Sequence, residues 1–279
     1  MIDLEVINIS DINPFKDHPF IVEVDDSLME LAQSIKENGL LHPVVVRKYE
    51  NKYEMISGHR RLKALEINGA TKIEAYVKIL SDDEATIFMV DSNLHREKIL
   101  PSERAFAYKM KMEALKHQGK TLSPKGTKSH SVDELGDTKT QIFRYIRLTY
   151  LIPELLKIVD NTAKYNDKHN LTMGIRSAVE LSYLNKDEQM LVYSEMTYDD
   201  LSPSHAQAIR IRKLSEKKKL NAETLENILA EEKGNQHERI SFNKDNIVSV
   251  LPNNMINRDK RYIEQYIIQA IKAYKKINK

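Results

Sequence analysis

Two adjacent arginines, Arg60 and Arg61, lie just after Gly58, where a strand-like run ends and a helix-like run begins. A glycine lets the backbone come close to a ligand, and the free N–H groups at a helix N-terminus attract anions. Guanidinium groups add fixed charge and paired donors that suit phosphate oxygens. The stretch that also holds His59 therefore predicts a phosphate site. The alternative is a pair of surface arginines with no ligand.

A second polar cluster lies between two predicted helices, in residues 91–97. Its Asn93 and Arg96 can converge on the same ligand, although such a cluster can also be a plain helix connection. The sequence also excludes several other kinds of functional site. The chain has no cysteine for disulfides or thiolates, no complete phosphate-binding loop of the G-x-x-x-x-G-K-[ST] type, and no metalloprotease or serine hydrolase motif.

Charge alternates along the chain, although the formal net charge is only +2. Residues 1–95 hold 10 Lys+Arg against 17 Asp+Glu, whereas residues 96–150 hold 12 against 6. Residues 210–279 are basic again, with 16 against 9. Basic segments between acidic ones favour a modular protein that meets a polyanion with chosen faces. Random clustering in a lysine-rich chain is the alternative.

The elements around the phosphate motif predict a small α+β domain. We expect strands at residues 5–9 and 73–80, and a hairpin from residues 43–47 and 53–56. A helix is predicted to begin at Ser27, which forms a capping box with Glu30, and to end before Gly39. Another begins at the acidic run 82–84, which complements the helix dipole.

A long helix is predicted from Pro101, followed by a hinge loop at residues 119–126. Residues 132–135, a turn at 136–137 and a helix over 138–150 then have the spacing of a helix-turn-helix, although many buried helical hairpins also carry a Gly turn. On the second helix, Gln141 and Arg144 are predicted to contact base edges, and Lys139 and Arg147 to hold phosphates. Thr140 shares this polar face.

Short helices in the acidic stretch 153–200 predict a supporting bundle, and two more helices are expected over residues 203–219 and 222–232. The last helix, residues 258–277, has one broad apolar face. That face either packs within the chain, which is the default, or mediates self-association. The face is formed by Tyr262, Ile263, Tyr266, Ile267, Ala270 and Tyr274. No run reaches the roughly 18 apolar residues of a membrane span, so we expect a cytoplasmic protein.

The order of these motifs resembles the ParB family of plasmid and chromosome partition proteins, especially the branch on mobile elements of Gram-positive bacteria. The similarity covers approximately residues 5–200. It rests on the run Gly58-His59-Arg60-Arg61-Leu62-Lys63-Ala64, on Ser92-Asn93-Leu94-His95-Arg96-Glu97, and on the helix-turn-helix that follows.

In this family the first motif is usually Gly-Glu-Arg-Arg and holds the triphosphate of CTP, which implies nucleotide-binding roles for Gly58, His59, Arg60 and Arg61. The second motif is usually Glu-Asn-x-x-Arg and is associated with the bound phosphates and Mg²⁺. The resemblance therefore implies nucleotide-binding roles for Asn93 and Arg96, with Asn93 as the metal ligand. His59 and Ser92 replace the two acids here. Because Mg²⁺ prefers carboxylates, these replacements predict weak metal binding and little hydrolysis.

The resemblance implies a ParB-like mixed α/β nucleotide-binding domain at 1–97 and an all-helical helix-turn-helix domain at 98–200. Residues 201–279 are expected to form a helical C-terminal region, and its apolar face is the candidate surface for self-association. The resemblance also implies a homodimer that binds centromere-like double-stranded DNA, switches with CTP and Mg²⁺, and works with a ParA-type ATPase on the nucleoid or a plasmid. A transcriptional regulator of a mobile element is the alternative. A weak CTP hydrolase is the third hypothesis.

Overall fold

The structure is a computed structural model that describes residues 3–96, 99–119, 137–163, 171–198, 200–231, 251–252 and 260–277. It divides into two units, Met1–Glu231 and Glu232–Lys279, which are described separately below. The predicted first helix of the helix-turn-helix, residues 132–135, lies outside the described residues, as does nearly all of the predicted hinge loop.

A five-stranded mixed sheet forms the centre of the N-terminal part. Its strands are β1 (Asp3–Asn8), β2 (Ile12–Asn13), β3 (Val44–Tyr49), β4 (Lys52–Ser57) and β5 (Lys72–Lys78), in the spatial order β1-β5-β3-β4-β2. The predicted hairpin is β3 and β4, which pair antiparallel, and β3 pairs parallel with β5. β1 begins two residues before its predicted start because Asp3 already pairs with Val77 of β5.

Two helices lie next to the phosphate motif. Helix α1 spans Asp26–Asn38 and α2 spans His59–Ile67. The predicted start of α1 was wrong by about two residues: Asp25 rather than Ser27 is the N-cap, because the Asp25 carboxylate accepts a hydrogen bond from the Leu28 N–H at 2.8 Å. The two helices share a small core. It contains Leu28, Ala32, Ile35 and Ala64.

Helices α3 (Asp82–Leu94) and α4 (Pro101–His117) follow the sheet, and α3 starts with a capping box between Ser81 and Glu84. β5 ends at Lys78, before its predicted end, because its pairing with β3 stops there, opposite Arg47. Ala85, Met89 and Ala107 from these helices are buried together with Phe20 and with Ile142 of the next helix. The sheet domain and the start of the helical part therefore share one core.

The remaining helices of the first unit form a bundle around a second core. They are α5 (Lys139–Leu148), α6 (Pro153–Asp160), α7 (Ile175–Leu181), α8 (Lys186–Tyr198), α9 (His205–Glu216) and α10 (Ala222–Ala230). Leu155, Leu181, Ile211 and Leu225 are fully buried within it. The predicted supporting bundle is present. In the second unit, α11 spans Lys260–Ile277, and its Ile268 and Tyr274 are 44% and 69% exposed.

A buried ion pair joins the hairpin to the start of α3. Arg47 Nε lies 2.6 Å from Glu54 Oε2, and both side chains are almost completely buried. The same guanidinium reaches the Asp82 carboxylate at 2.7 Å and donates to the Leu80 carbonyl at 3.4 Å. One arginine thus holds β3, β4 and the β5–α3 connection together.

Arg47→Met should therefore leave the Glu54 carboxylate buried without its cation. We expect the free energy of unfolding to fall by about 3–5 kcal/mol, measured by urea denaturation. The control Lys63→Ala breaks an exposed Lys63–Glu66 pair at 3.1 Å and should cost less than about 1 kcal/mol. Equal small losses in the two variants would contradict the structural role of Arg47.

Candidate anion-binding site and nucleic-acid interface

Gly58 occupies the turn between β4 and α2, and no other residue type fits there. Its φ of 103° lies in the left-handed region that side-chain-bearing residues avoid. A Cβ at this position would come within 2.8 Å of Val44 Cγ1 and 2.9 Å of Arg61 Nη2. The missing side chain therefore lets β4 turn sharply into α2, and the first turn of α2 follows directly as an anion-attracting N-terminus.

Arg60 connects the first turn of α2 to the start of α1. Its Nη2 donates to Ser27 Oγ at 2.5 Å and to Asp25 Oδ1 at 3.2 Å. The Asp25 pKa is lowered, first by the Leu28 N–H that the carboxylate accepts and then by other contacts that include Arg60. With about a third of its side chain exposed, Arg60 stays accessible to a ligand.

Arg61 is held against the chain segment that leads into β3. Its Nη1 donates to the carbonyls of His42 at 2.5 Å and Pro43 at 2.8 Å. Burial lowers the pKa of this guanidinium. Two carbonyl acceptors on one nitrogen fix the group in place, so Arg61 orders the walls of the site as well as adding positive charge to it.

His59, the first residue of α2, stacks on His18 from the segment before α1. The ring centroids are 3.9 Å apart and the rings are tilted by 36°. Both ring nitrogens of His59 and Nε2 of His18 are buried without a hydrogen-bond partner. Burial lowers the pKa of His18 to about 4 and that of His59 to about 3, so both rings are neutral at pH 7.

Arg96 is the third cation of the site. Its guanidinium lies 5.5 Å from the centre of the Phe20 ring, and its charge further lowers the pKa of both histidines. Burial lowers the pKa of Arg96 itself, while the charge of Glu103 opposes that effect. The Glu103 carboxylate accepts from the Ile21 N–H at 2.7 Å and the Leu100 N–H at 2.9 Å. Residues 18–21 and α4 thus enclose Arg96.

The predicted phosphate residues are therefore brought together in part. The structure places His59, Arg60 and Arg96 close enough to influence one another electrostatically, and Arg61 adjoins Gly58. Asn93 is buried in α3, where its amide nitrogen donates to the Met89 carbonyl at 2.8 Å. The neighbouring Ser92 hydroxyl donates to the same carbonyl at 2.9 Å.

Sequence analysis missed four residues that complete the site: His18, Phe20, Asp25 and Glu103. His18, Phe20 and Asp25 lie more than 30 residues from His59, Arg96 and Arg60, which they contact, and Glu103 reaches back 82 residues to the Ile21 N–H, so no local spacing reveals these contacts. Among the described residues, no group of three or more His, Asp or Glu side chains is arranged to hold a metal ion. In the same part of the chain, no helix is long and apolar enough to cross a membrane.

The polar face predicted to contact DNA is present on α5. Lys139, Thr140 and Gln141 are exposed, whereas Ile142 and Ile146 are buried on the opposite face. Gln141 has a structural contact as well: its Oε1 accepts from the Thr138 N–H and hydroxyl, both at 2.8 Å. The amide oxygen needed for a bidentate adenine contact is thus engaged in the helix cap.

Arg144 is half-buried on the same side of α5, and the Phe143 ring beside it is 45% exposed. The sequence analysis did not single out Phe143, since one aromatic residue in an amphipathic helix gives no signal of its own exposure. The exposed face of α5 therefore offers an apolar ring as well as charged and polar groups.

Arg147 joins α5 to α7. Its Nε donates to Ser182 Oγ at 2.9 Å and its Nη2 to the Ser182 carbonyl at 2.8 Å. Its guanidinium lies 3.9 Å from the centre of the Tyr183 ring and 4.6 Å from that of Tyr150. The two hydrogen bonds engage two of the five N–H donors of Arg147 and the rings pack against its guanidinium, so this side chain helps to set the orientation of α5.

The other end of α5 is held by α4. Asp137, just before the Thr138 N-cap, accepts from the Tyr108 hydroxyl at 2.5 Å and from Arg104 at 3.2 Å. Burial, followed by this contact, raises the pKa of Tyr108. Both ends of the helix are thereby fixed by residues outside it.

Comparison with known proteins identifies the family. Residues 2–94 match the family model of the ParB N-terminal domain. The chain is 31% identical over 218 residues to the nucleoid occlusion protein of Bacillus thuringiensis, covering 78% of this chain and 69% of that one. It belongs to the ParB family.

A second ParB-family relative is the chromosome-partitioning protein Spo0J of Thermus thermophilus, with 31% identity over 67% of this chain and 63% of that protein. The match thus spans just under two thirds of the length of the Thermus protein. Among solved structures, Caulobacter crescentus ParB complexed to the centromeric parS site is 18% identical, with a TM-score of 0.43 over 76% of this chain and 99% of that one. The same protein complexed with CTP-gamma-S is 19% identical, with a TM-score of 0.32 over 70% and 99%.

Gly58→Ala should damage both the turn and the anion site, because the new methyl group meets Val44 at a strained φ. We expect the free energy of unfolding to fall by about 1–3 kcal/mol more than in Gly69→Ala, measured by urea denaturation. Gly69 is the matched control, since its φ is also positive, 73°, but a Cβ there meets nothing within 4 Å. Equal losses would show that φ alone, and not the contact with Val44, makes glycine necessary.

Proposed function

We propose that this ParB-family chain is a site-specific DNA-binding partition protein whose N-terminal domain binds the triphosphate of CTP. The observation that carries the nucleotide proposal is the anion site itself. A left-handed glycine opens a helix N-terminus, three guanidinium groups surround it, and the histidine nitrogens beside it are buried without partners. The Caulobacter relative, which was solved with CTP-gamma-S, supports CTP as the ligand.

Each residue of the site has a distinct role in this proposal. Arg60 is exposed enough to exchange its contact with Asp25 for a phosphate oxygen. Arg61 and Gly58 keep the turn in place, and Arg96, which lies close enough to act on His59 and Arg60, supplies further positive charge. Because phosphate oxygens accept several charged donors at once, such an arrangement favours a polyphosphate over a single carboxylate.

Mg²⁺ has few protein ligands available in this arrangement. His59 and Ser92 stand where the family usually has acids, and the Ser92 hydroxyl and the Asn93 amide nitrogen both donate to the Met89 carbonyl. Asn93 can offer only its amide oxygen. We therefore propose that any Mg²⁺ arrives bound to the phosphates and is held chiefly by them. Its chemistry would be charge neutralisation, and this is a reason to expect CTP binding with little hydrolysis.

We propose that α5 is the recognition helix of a helix-turn-helix. In this proposal Arg144 contacts base edges, Thr140 shares its face, and Lys139 holds a phosphate. Gln141 and Arg147 contribute mainly by capping and orienting the helix. Binding of this kind matches the relative that was solved with a parS site. A homodimer formed through the apolar face of α11 and a ParA-type ATPase partner complete the proposal.

The alternative function is transcriptional regulation of a mobile element without segregation. Deletion of the gene distinguishes the two functions. Loss of the element from growing cells with unchanged transcripts supports partition, and the opposite result supports regulation.

Arg60→Ala should weaken CTP binding by at least about tenfold, because a charge-assisted contact to phosphate contributes about 1.5–3 kcal/mol. Isothermal titration calorimetry with CTP and Mg²⁺ measures this effect. Lys63→Ala, one turn further along α2 and exposed, is the control and should bind like the wild type. Equal affinity in all three proteins would remove Arg60 from the site, and no binding in any would refute the nucleotide proposal.

Arg144→Ala should relax sequence preference at a cost of roughly 1–3 kcal/mol on the preferred duplex only. Lys139→Ala should weaken preferred and random duplexes alike and reduce the slope of log K against log salt by about 1. Fluorescence anisotropy on both duplexes over a range of salt concentrations measures both effects. Equal losses on the two duplexes for Arg144→Ala would contradict its role at the bases.

A further inference from the structure

Three buried ring nitrogens in the anion site lack a hydrogen-bond partner: Nε2 of His18 and both nitrogens of His59. Buried polar atoms in folded proteins are nearly always paired, so three together need a physical reason. His18 Nδ1 lies 2.8 Å from the Phe20 carbonyl, which can only accept, so Nδ1 carries the proton of the neutral ring. His18 Nε2 therefore presents a bare lone pair, and neutral His59 has another on one of its nitrogens.

Burial, and after it the charges that face this pair, explain why it is uncharged. Arg96 acts on both rings, and each ring lies against the other. Arg60 and Glu103 act in turn on Arg96. Protonating either ring in the free protein would add a buried charge beside these arginines. Burial holds the pKa of the two rings at about 4 and about 3.

We propose that polyphosphate binding at the N-terminus of α2 protonates the His18–His59 pair, so that the protein takes up a proton when it binds the nucleotide. The inference rests on the proposed function, since it assumes that the anion is a nucleoside triphosphate. Several negative charges beside α2 reverse the local potential that Arg96 creates. An imidazolium N–H then donates to a phosphate oxygen, so that a ring nitrogen without a hydrogen-bond partner in the free protein gains one.

Only one of the two rings takes up the proton. With the centroids 3.9 Å apart, a second imidazolium would face the first across a stacking distance, so the pair titrates as a unit that holds one proton. The arginines bring permanent charge to the site, whereas the histidines bring a charge that is present only when the ligand is bound. The free protein thereby avoids a fourth positive group in a crowded pocket.

The pH dependence of binding follows from the low pKa of the free rings and the higher pKa of the pair in the complex. The free rings have pKa values of about 4 and about 3, and the bound anion raises the pKa of the pair. Binding therefore strengthens as the pH falls from the pKa of the complex towards about 4. One proton gives at most a tenfold change per pH unit. Well above the pKa of the complex, this contribution disappears.

Calorimetry in buffers of different ionisation enthalpy counts the protons taken up. We would compare the wild type with the double variant His18→Asn/His59→Gln near pH 6 and near pH 8, using CTP and inorganic tripolyphosphate as ligands. The control is His117→Gln, because His117 lies on the exposed C-terminal turn of α4 beside Asp83. The terminal phosphate of the ligand also titrates near pH 6, but equally for all three proteins.

The expected result is a larger proton uptake in the wild type and the His117 variant than in the double variant near pH 6. The difference should be a substantial fraction of one proton, should shrink near pH 8, and should be the same for CTP and tripolyphosphate. Equal uptake in all three proteins while they still bind would overturn the inference and leave the proposed function intact. Excess uptake with CTP alone would also overturn it, because the phosphates would not be the cause.

A wild type that binds neither ligand would refute the nucleotide site and the inference with it. If the double variant does not fold, NMR of the histidine Cε1–H groups in the wild type gives the same answer. One ring should show a titration midpoint between about pH 5 and 8 with tripolyphosphate and none without it. The proposal would be overturned if neither ring showed a titration midpoint in this pH range, with or without tripolyphosphate.

Discussion

The left-handed backbone at Gly58 is the constraint on which the candidate site depends. It turns β4 into α2 within one residue, and the absence of a side chain leaves room for Val44 and the Arg61 guanidinium. Arg61 then bonds to the chain before β3, and Arg60 bonds to the start of α1. One backbone conformation therefore determines where the anion-attracting helix begins and where its two arginines are held.

Positive charge in this pocket is tolerated because each group is restrained differently. Arg61 has backbone carbonyls as partners, Arg60 has a carboxylate and a hydroxyl, and Arg96 lies over the Phe20 ring near Glu103. The two histidines stay neutral because burial disfavours their charged forms. Few carboxylates are therefore needed to balance the positive charge of the site.

The helical half uses the same principle of external anchoring. Asp137 binds to α4 before α5 begins, and Arg147 binds to the end of α7. An exposed helix that is fixed at both ends can present Thr140, Phe143 and Arg144 in a constant orientation, which a groove-binding surface needs. Because Ile142 lies in the same core as Met89 and Phe20, α5 is also packed against the N-terminal half.

Local sequence patterns were enough to predict most of the elements and the local chemistry. Alternation and turn residues predicted the hairpin of β3 and β4, and Gly58 followed by two arginines predicted the anion-attracting start of α2. These features depend on neighbours a few residues apart, so their signals are local. The start of α1 was misplaced because Ser27 and Asp25 are both good caps, and hydrogen-bond geometry chose between them. The family resemblance was confirmed by relatives, whereas the assigned roles of Asn93 and the α5 side chains remain predictions.

The distant residues that complete the sites became apparent from the packing of the folded chain. His18 stacks on His59 across 41 positions of sequence, and Glu103 reaches back to Ile21 across 82. The structure also showed that Gln141 and Arg147 hold the helix from which they were predicted to contact DNA. A side chain has a limited number of donors and acceptors, and which partner takes them depends on packing that brings separate segments together. The spacing of residues along the chain therefore does not predict which partner each donor or acceptor takes.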